Sequence, residues 1–331
     1  MKRLLLLIIG IIVVTLTSNV NYGKVWRVDM NSANNPDFTN IQAAVNDTKV
    51  AAGDTIYLAG HPTTYGNLTL EKRVTIIGNG YFLSENNYKY ENIFSSKLST
   101  LIIIPGAGNS VIRSIEIQAP VAIRADGIIF DRNYVKNGGI HIENSKNCLI
   151  SRSYFSRTGN TYVLYIGFNS QNITVKNNYF DSNGSQTFRS ETGSCTLINN
   201  VFSGHVYLFA GGVFLNNIII SQGFYTGASA DVRGNFSAEG SMSSYPGNQF
   251  NVSWTSLCLQ NSSPDGKYQL KEGSIAKGYG VNGVDSGMFG GDEPYILSGI
   301  PPIPTIYEAV VPSTVTNKDG LPIKIKARTN K

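Results

Sequence analysis

The chain of 331 residues carries 27 basic and 22 acidic side chains, and only 15% of its residues are charged. Its net charge of +5 falls to about +3 once Lys2 and Arg3 of the leader are set aside, a field too weak to attract nucleic acid or an anionic membrane surface. With 34 glycines and 18 tyrosines, the balance is that of an all-β extracellular protein rather than a helical one.

The opening run MKRLLLLIIGIIVVTLTSN places Lys2 and Arg3 ahead of an apolar stretch and small polar residues, which predicts a secretory signal peptide over residues 1–20. The stretch is also long enough for an uncleaved anchor, and its Ala-x-Ala cleavage pattern is poor. No Cys stands near the junction to carry a lipid. The expected mature chain starts near Asn19 to Lys24 and is secreted, to the extracellular space, the cell surface or the periplasm, with no membrane partner after cleavage.

Next comes FTNIQAAVNDTKVAAGDTIYLAG, Phe38 to Gly60. Thr39 and Gln42 lie three apart ahead of an apolar stripe at Ile41, Ala44 and Val45, which predicts a capping box and one short amphipathic helix. Val50 to Asp54 turn the chain into the alternating strand TIYLAG. A lone helix in this place covers the end of a β-structure.

From Val74 onward, short apolar runs alternate with Gly and Asn, and several end in an Asn-Asn pair followed by an apolar or aromatic residue. Taking the second residue of each pair as an anchor gives Asn133, Ser153, Asn178, Asn200, Asn217 and Asn235, with gaps of 20, 25, 22, 17 and 18 residues. Such an irregular period belongs to a solenoid whose loops vary while its strands stay in step. Three residues before the anchors stand Phe130, Ile150, Val175, Leu197, Phe214 and Val232; five before stand Ile128, Cys148, Ile173, Cys195, Gly212 and Ala230. Two after them come Val135, Phe155, Phe180, Phe202 and Ile219. These columns face inward, while Asp131, Ser151, Thr174, Lys176 and Thr196 face out. The anchor Asn is expected to take the left-handed backbone of a corner and to hydrogen-bond the Asn of the next coil. One corner per coil predicts an all-β, single-stranded, right-handed parallel β-helix over residues 24–290, with further strands in GIHIEN, YVLYIGF and HVYLFAG.

Cys148 and Cys195 share one register two coils apart, about 10 Å, which is beyond disulfide reach. They read as small buried residues, and Cys258 has no assignment. Pro294, Pro301, Pro302, Pro304 and Pro312 then interrupt the strand pattern, and LPIKIKART supplies a terminal strand. Residues 291–331 are thus either a proline-rich tail packed along the helix or a flexible stalk or export tail.

The run from Phe38 to Gly60, then VTIIGNG and the Asn-Asn-x-Phe corners, resembles the pectin-lyase-like superfamily of secreted right-handed β-helix proteins over about 220 residues. The final DSGMFGGDEPYILSGIPPIPTIYEAVVP is similar to the C-terminal segment of many secreted β-helix proteins of gram-negative bacteria. The resemblance implies the fold and leaves the activity open, because that superfamily holds polysaccharide lyases, glycoside hydrolases, esterases, tailspikes and proteins without known activity.

Polygalacturonase-like hydrolases carry Asn-Thr-Asp, Asp-Asp, Gly-His-Gly and Arg-x-Lys motifs; here Asp-Asp and Asn-Thr-Asp are absent, and Gly204, His205 and Val206 match only in part. Pectate-lyase-like sites hold calcium on clustered acids. Asp126, Asp131, Glu143, Asp181, Glu191, Asp231 and Glu239 do not repeat in one column, so neither calcium nor another cofactor is expected. His61, His141 and His205 lack metal-site spacing, and no Gly-x-Ser-x-Gly nucleophile motif occurs.

Two columns beside the anchors attract more interest. Arg132 and Arg152 fall one coil apart, and Tyr134, Tyr154 and Tyr179 form a ladder just past the corner. Stacked guanidinium groups favour an anion and tyrosine rings suit a sugar, so these five residues form a candidate strip for acidic polysaccharide. The competing reading pairs the arginines with Asp131 and Glu143 and lets the tyrosines stack on one another. His141 and Lys136, near Arg132 and Arg152, are the candidates for a general base. The leading expectation is a monomeric secreted β-helix that binds extracellular or cell-surface polysaccharide without clear catalytic residues. The alternatives are an enzyme on uronate-containing glycans, a polysaccharide lyase before a glycoside hydrolase, and a structural surface protein or adhesin.

Overall fold

The computed structural model describes residues 23–330 except 87–91, 158–161, 183–185, 228, 261 and 313–319, and the leader predicted over residues 1–20 lies outside the described residues. Each turn of chain lays one short strand on each of three sheets. The first sheet has ten strands, from Val25–Val28 to Ala230–Arg233; the second has eight, from Lys97–Leu98 to Phe236–Ser237; the third has eight, from Leu68–Leu70 to Phe224–Thr226. Pairing within all three is parallel, which makes the chain an all-β parallel β-solenoid.

Alternation along these strands sets what is buried. Phe130, Ile150, Val175, Leu197, Phe214 and Val232 pair in succession down the first sheet and point into the coil, as expected. On the second sheet Val135, Phe155, Phe180, Phe202 and Ile219 do the same. The rings of Phe155 and Phe180 stack at 4.8 Å and 5°, and those of Phe180 and Phe202 at 5.1 Å and 7°. Each such side chain contributes about 1.5–3 kcal/mol of burial, so the core is a sum of many equal rungs. Cys148, Cys195 and Cys258 are free and buried.

At the corner between the first and second sheets the anchors form one hydrogen-bonded ladder. The backbone N–H of Asn178 donates to Oδ1 of Asn200 (3.1 Å), that of Asn200 to Asn217 (2.8 Å), that of Asn217 to Asn235 (2.7 Å) and that of Asn235 to Asn248 (3.0 Å). The carboxamide nitrogens of Asn178, Asn200, Asn217 and Asn235 follow the same path. Ser153 and Asn133 continue it toward the N-terminus. One detail differs from expectation. The left-handed residue is not the anchor but the one before it: Ser114, Arg132, Arg152, Asn177, Asn199, Asn216 and Gly234, with φ between 46° and 71°. The anchor's side chain must turn inward to reach its neighbours, so the bend falls one position earlier.

The predicted helix is Ile41–Asn46, with Ile41, Ala44 and Val45 buried against the first coil. Its cap is Asn40, whose side chain accepts from the N–H of Ala43, and not the expected Thr39. Gln42 does not close a capping box either. Its carboxamide meets both backbone groups of Thr69, accepting from N–H at 2.8 Å and donating to the carbonyl at 3.1 Å, and so occupies the open edge of the third sheet.

Beyond Ser237 the chain leaves the coil register. A turn around Gly240–Met242 buries Met242 in the core, and Phe236 bridges to Gln249. Residues 252–300 then run back along the corner as a strap. Strands Thr305–Val310 and Lys324–Arg328 form an antiparallel hairpin after it. Among the described residues no helix is long and apolar enough to cross a membrane.

Candidate functional site

Two tyrosine columns lie on adjacent outer faces of the coil. The first is the predicted ladder Tyr134, Tyr154 and Tyr179, paired one above another in the second sheet. Its place in the register is as expected but its exposure is not, since the three are 8%, 5% and 2% exposed. The strap covers them: Tyr268 stacks on Tyr179 at 3.9 Å, and Leu257, Cys258, Met288 and Tyr295 complete a second apolar cluster. Burial raises the pKa of Tyr134, Tyr154 and Tyr179. These rings are unavailable to a sugar while the strap is in place.

Polar staples hold the strap down. The buried carboxylate of Asp265 accepts from Nδ2 of Asn86 (2.9 Å), the hydroxyl of Tyr295 (3.1 Å) and the N–H of Ser298 (2.7 Å). The hydroxyls of Tyr81 and Tyr295 meet at 2.7 Å. The left-handed asparagines point outward for this purpose. Asn177 donates to the carbonyls of Met288 and Gly290, Asn199 to those of Asp285 and Gly287, and Asn216 accepts from the N–H of Val281. The paired asparagines thus divide the work, the first seating the strap and the second building the ladder.

Arg132 and Arg152 stand where the pair has no first Asn, and the strap lies over them too. The expected exposed strip is again absent, with side-chain exposures of 4% and 14%. Arg132 donates from Nη1 to the carbonyl of Ile300 at 2.7 Å. Arg152 grips the buried Asp131 with two nitrogens at 2.7 and 3.0 Å, and Glu293 of the strap pairs with Lys176 and approaches Arg152 at 3.9 Å. The expected partnership with Asp131 is therefore present, whereas Glu143 pairs with Arg124 at 3.4 Å instead.

The second column lies on the third sheet and is open. Its outward residues run Ala122, His141, Tyr165, Arg189, Tyr207 and Tyr225, each paired with the next. Tyr207 and Tyr225 are parallel at 5.0 Å, Tyr207 and Phe209 at 5.5 Å, and His205 lies 5.3 Å from Tyr225. Tyr162 meets Tyr165 and, edge-on, Tyr207 at 6.4 and 6.2 Å, and its hydroxyl accepts from Nη1 of Arg189 at 3.0 Å. The Arg189 guanidinium sits 4.5 Å over Phe209 and pairs with Glu191. Tyr225 is 46% and Phe209 41% exposed. The third sheet ends at Phe224–Thr226, so among the described residues no strand of a following coil stacks on Tyr225.

Of the candidate bases, His141 lies in this open column, 5.8 Å ring to ring from Tyr165. Burial lowers its pKa, Glu143 opposes that, and Arg157 and Arg124 reinforce it. Lys136 is exposed at the end of a second-sheet strand, away from His141. Neither is brought to Arg132 or Arg152. Among the described residues no group of His, Cys, Asp and Glu could hold a metal ion. Tyr165, Arg189, Tyr207, Phe209 and Tyr225 are the residues sequence reading missed, although YVLYIGF and HVYLFAG contain most of them. No family model, curated protein or solved structure matches the chain.

Proposed function

We propose that this chain is a secreted binding protein for extended polysaccharide, akin to non-catalytic members of the pectin-lyase-like β-helix proteins, and that it binds through the outer face of the third sheet. One observation carries the reading: an unbroken column of exposed or half-exposed His141, Tyr165, Arg189, Tyr207 and Tyr225, one residue per coil, with Phe209 beside it. Parallel strands repeat at about 4.8 Å, so a linear polymer lying along the axis meets a similar aromatic or polar group at each step. Arg189 is offset by Glu191 and Arg124 by Glu143, which leaves this face without a strong excess of either charge. Calorimetric titration with a panel of neutral and acidic polysaccharides tests the reading. Tyr207→Ala with Tyr225→Ala is expected to weaken binding by about tenfold or more. Unchanged affinity in that double variant removes the proposal.

The His141 and Tyr165 pair favours a second reading, a polysaccharide lyase in which a neutral imidazole abstracts the proton beside a uronate carboxylate and the phenol serves the leaving oxygen. Its signature is an unsaturated, ultraviolet-absorbing product that His141→Ala abolishes. No such product from alginate, pectate or glycosaminoglycans leaves the binding reading alone.

A further inference from the structure

Four buried side-chain polar atoms among the described residues have no hydrogen-bond partner, and three of them belong to Arg113, Ser114 and Arg132. These residues are neighbours. Arg113 pairs with Asp131 in the first sheet, so Arg132 follows one coil on from Ser114, and both hold left-handed backbone at φ 57° and 60°. Orphaned buried donors are rare and costly, and three at one corner call for a common acceptor.

Asp131 is close to these donors but is not aligned to accept from them. Its Oδ1 already accepts from Ser151 and Arg152, and its Oδ2 from a second nitrogen of Arg152. Nε of Arg113 at 3.1 Å and Nε of Arg132 at 3.8 Å are close to Oδ2 without the alignment of a hydrogen bond. Charge points the same way. Among the described residues Arg113, Arg132, Arg152 and Lys176 form ion pairs with Asp131 and Glu293, so four cations face two anions. Burial lowers the pKa of Arg132, and the neighbouring Arg152 and Arg113 add to that against the pull of Asp131. Excess charge beside the buried Arg132 and Asp131 is expensive unless a counter-ion joins it. Arg113 keeps 28% of its side chain exposed, which leaves an approach from solvent beside the strap.

We infer that the corner formed by Arg113, Ser114 and Arg132 binds a small oxyanion: sulfate, phosphate or a carboxylate group. Its oxygens accept from the two Nε–H groups and the Ser114 hydroxyl, and its charge offsets the surplus around Asp131. The site is on a different face from the third-sheet column and does not depend on the glycan reading.

Thermal unfolding of the full chain tests this, with sulfate, phosphate, glucuronate or an acidic oligosaccharide at up to about 10 mM, each against chloride of equal ionic strength. A bound anion raises the midpoint saturably. Arg113→Gln and Ser114→Gly are each expected to weaken the apparent affinity by about tenfold. Glycine suits the positive φ of Ser114, so that variant keeps the fold while it removes the hydroxyl. Tyr207→Ala is expected to leave the response unchanged. A response to inorganic sulfate or phosphate identifies a free anion, and one confined to the sugar acids identifies the acid group of a glycan. No rise beyond chloride, a rise that grows without saturating as anion exclusion would give, or an undiminished response in Arg113→Gln overturns the inference.

Discussion

Tyr154 and Tyr165 belong to the same coil, stand on adjacent faces and sit in vertical columns of similar chemistry, yet one is buried under the strap and the other is half-exposed. Both side chains point outward from their strands, as period-2 alternation dictates. What separates them is residues 252–300, which lie on the second-sheet face and leave the third-sheet face open. Outward from a strand and outward to solvent are different properties, and only the first is local.

The largest effect is expected from Tyr179→Ala, which empties a ring-sized space between Tyr154 and Tyr268 and should cost about 3–5 kcal/mol. Tyr207→Ala on the open face should cost less than about 1 kcal/mol. Equal losses in urea denaturation would erase the distinction between the two columns.

Arg152→Ala removes the bidentate partner of the buried Asp131 and is expected to destabilise by about 3 kcal/mol. Arg152→Gly should recover about 1 kcal/mol of that, because φ at this position is 46°. If glycine were no better than alanine in chemical denaturation, the left-handed corner would not be stressing the arginine.

Asn200→Ala removes the acceptor of the Asn178 amides and the donor to the carbonyl of Val175, with an expected loss of about 2–3 kcal/mol. Asn199→Gly, which suits the φ of 55° there, releases only the strap carbonyls of Asp285 and Gly287 and should cost about half as much. The reverse order of urea midpoints would exchange the roles assigned to the two asparagines.

Alkaline pH sharpens the same contrast more gently. Burial pushes Tyr65 up to about 12 from an ordinary 10 and raises Tyr134, Tyr154 and Tyr179 as well. The folded chain holds these protons while the unfolded chain releases them, so the associated stability is complete below pH 10 and is lost as pH climbs through 12 and above. Urea midpoints measured across that range should fall, and Tyr154→Phe should lessen the slope. A flat profile would mean that the covered rings ionise as freely as solvent tyrosine.

Much of the coil was legible because its signals are local. Phe130, Ile150 and Val175, the Phe155 column and the anchor ladder follow from alternation and a recurring Asn. The position of the bend was legible too, and was misread: Gly234 stands directly before Asn235, and glycine marks the residue that needs positive φ. The open column was harder to see. Segments of unequal length separate Lys136 from Ile140, Arg157 from Leu164 and Phe202 from His205, so anchors counted on the first sheet do not index the third. The strap was not legible. Its contacts join residues as distant as Tyr81 and Tyr295 through irregular backbone, and no period announces such a pairing.

Stacked coils held only by nearest neighbours can fray from either end one rung at a time. Here the same stretch that touches Asn216 near one end also touches Arg132 in the middle and Tyr81 toward the other end. Losing the last coil would therefore loosen coils as far back as Tyr81, and the molecule is laced shut like a boot rather than piled like coins. Its unfolding is expected to be a single cooperative event, a behaviour more typical of a globule than of a linear array.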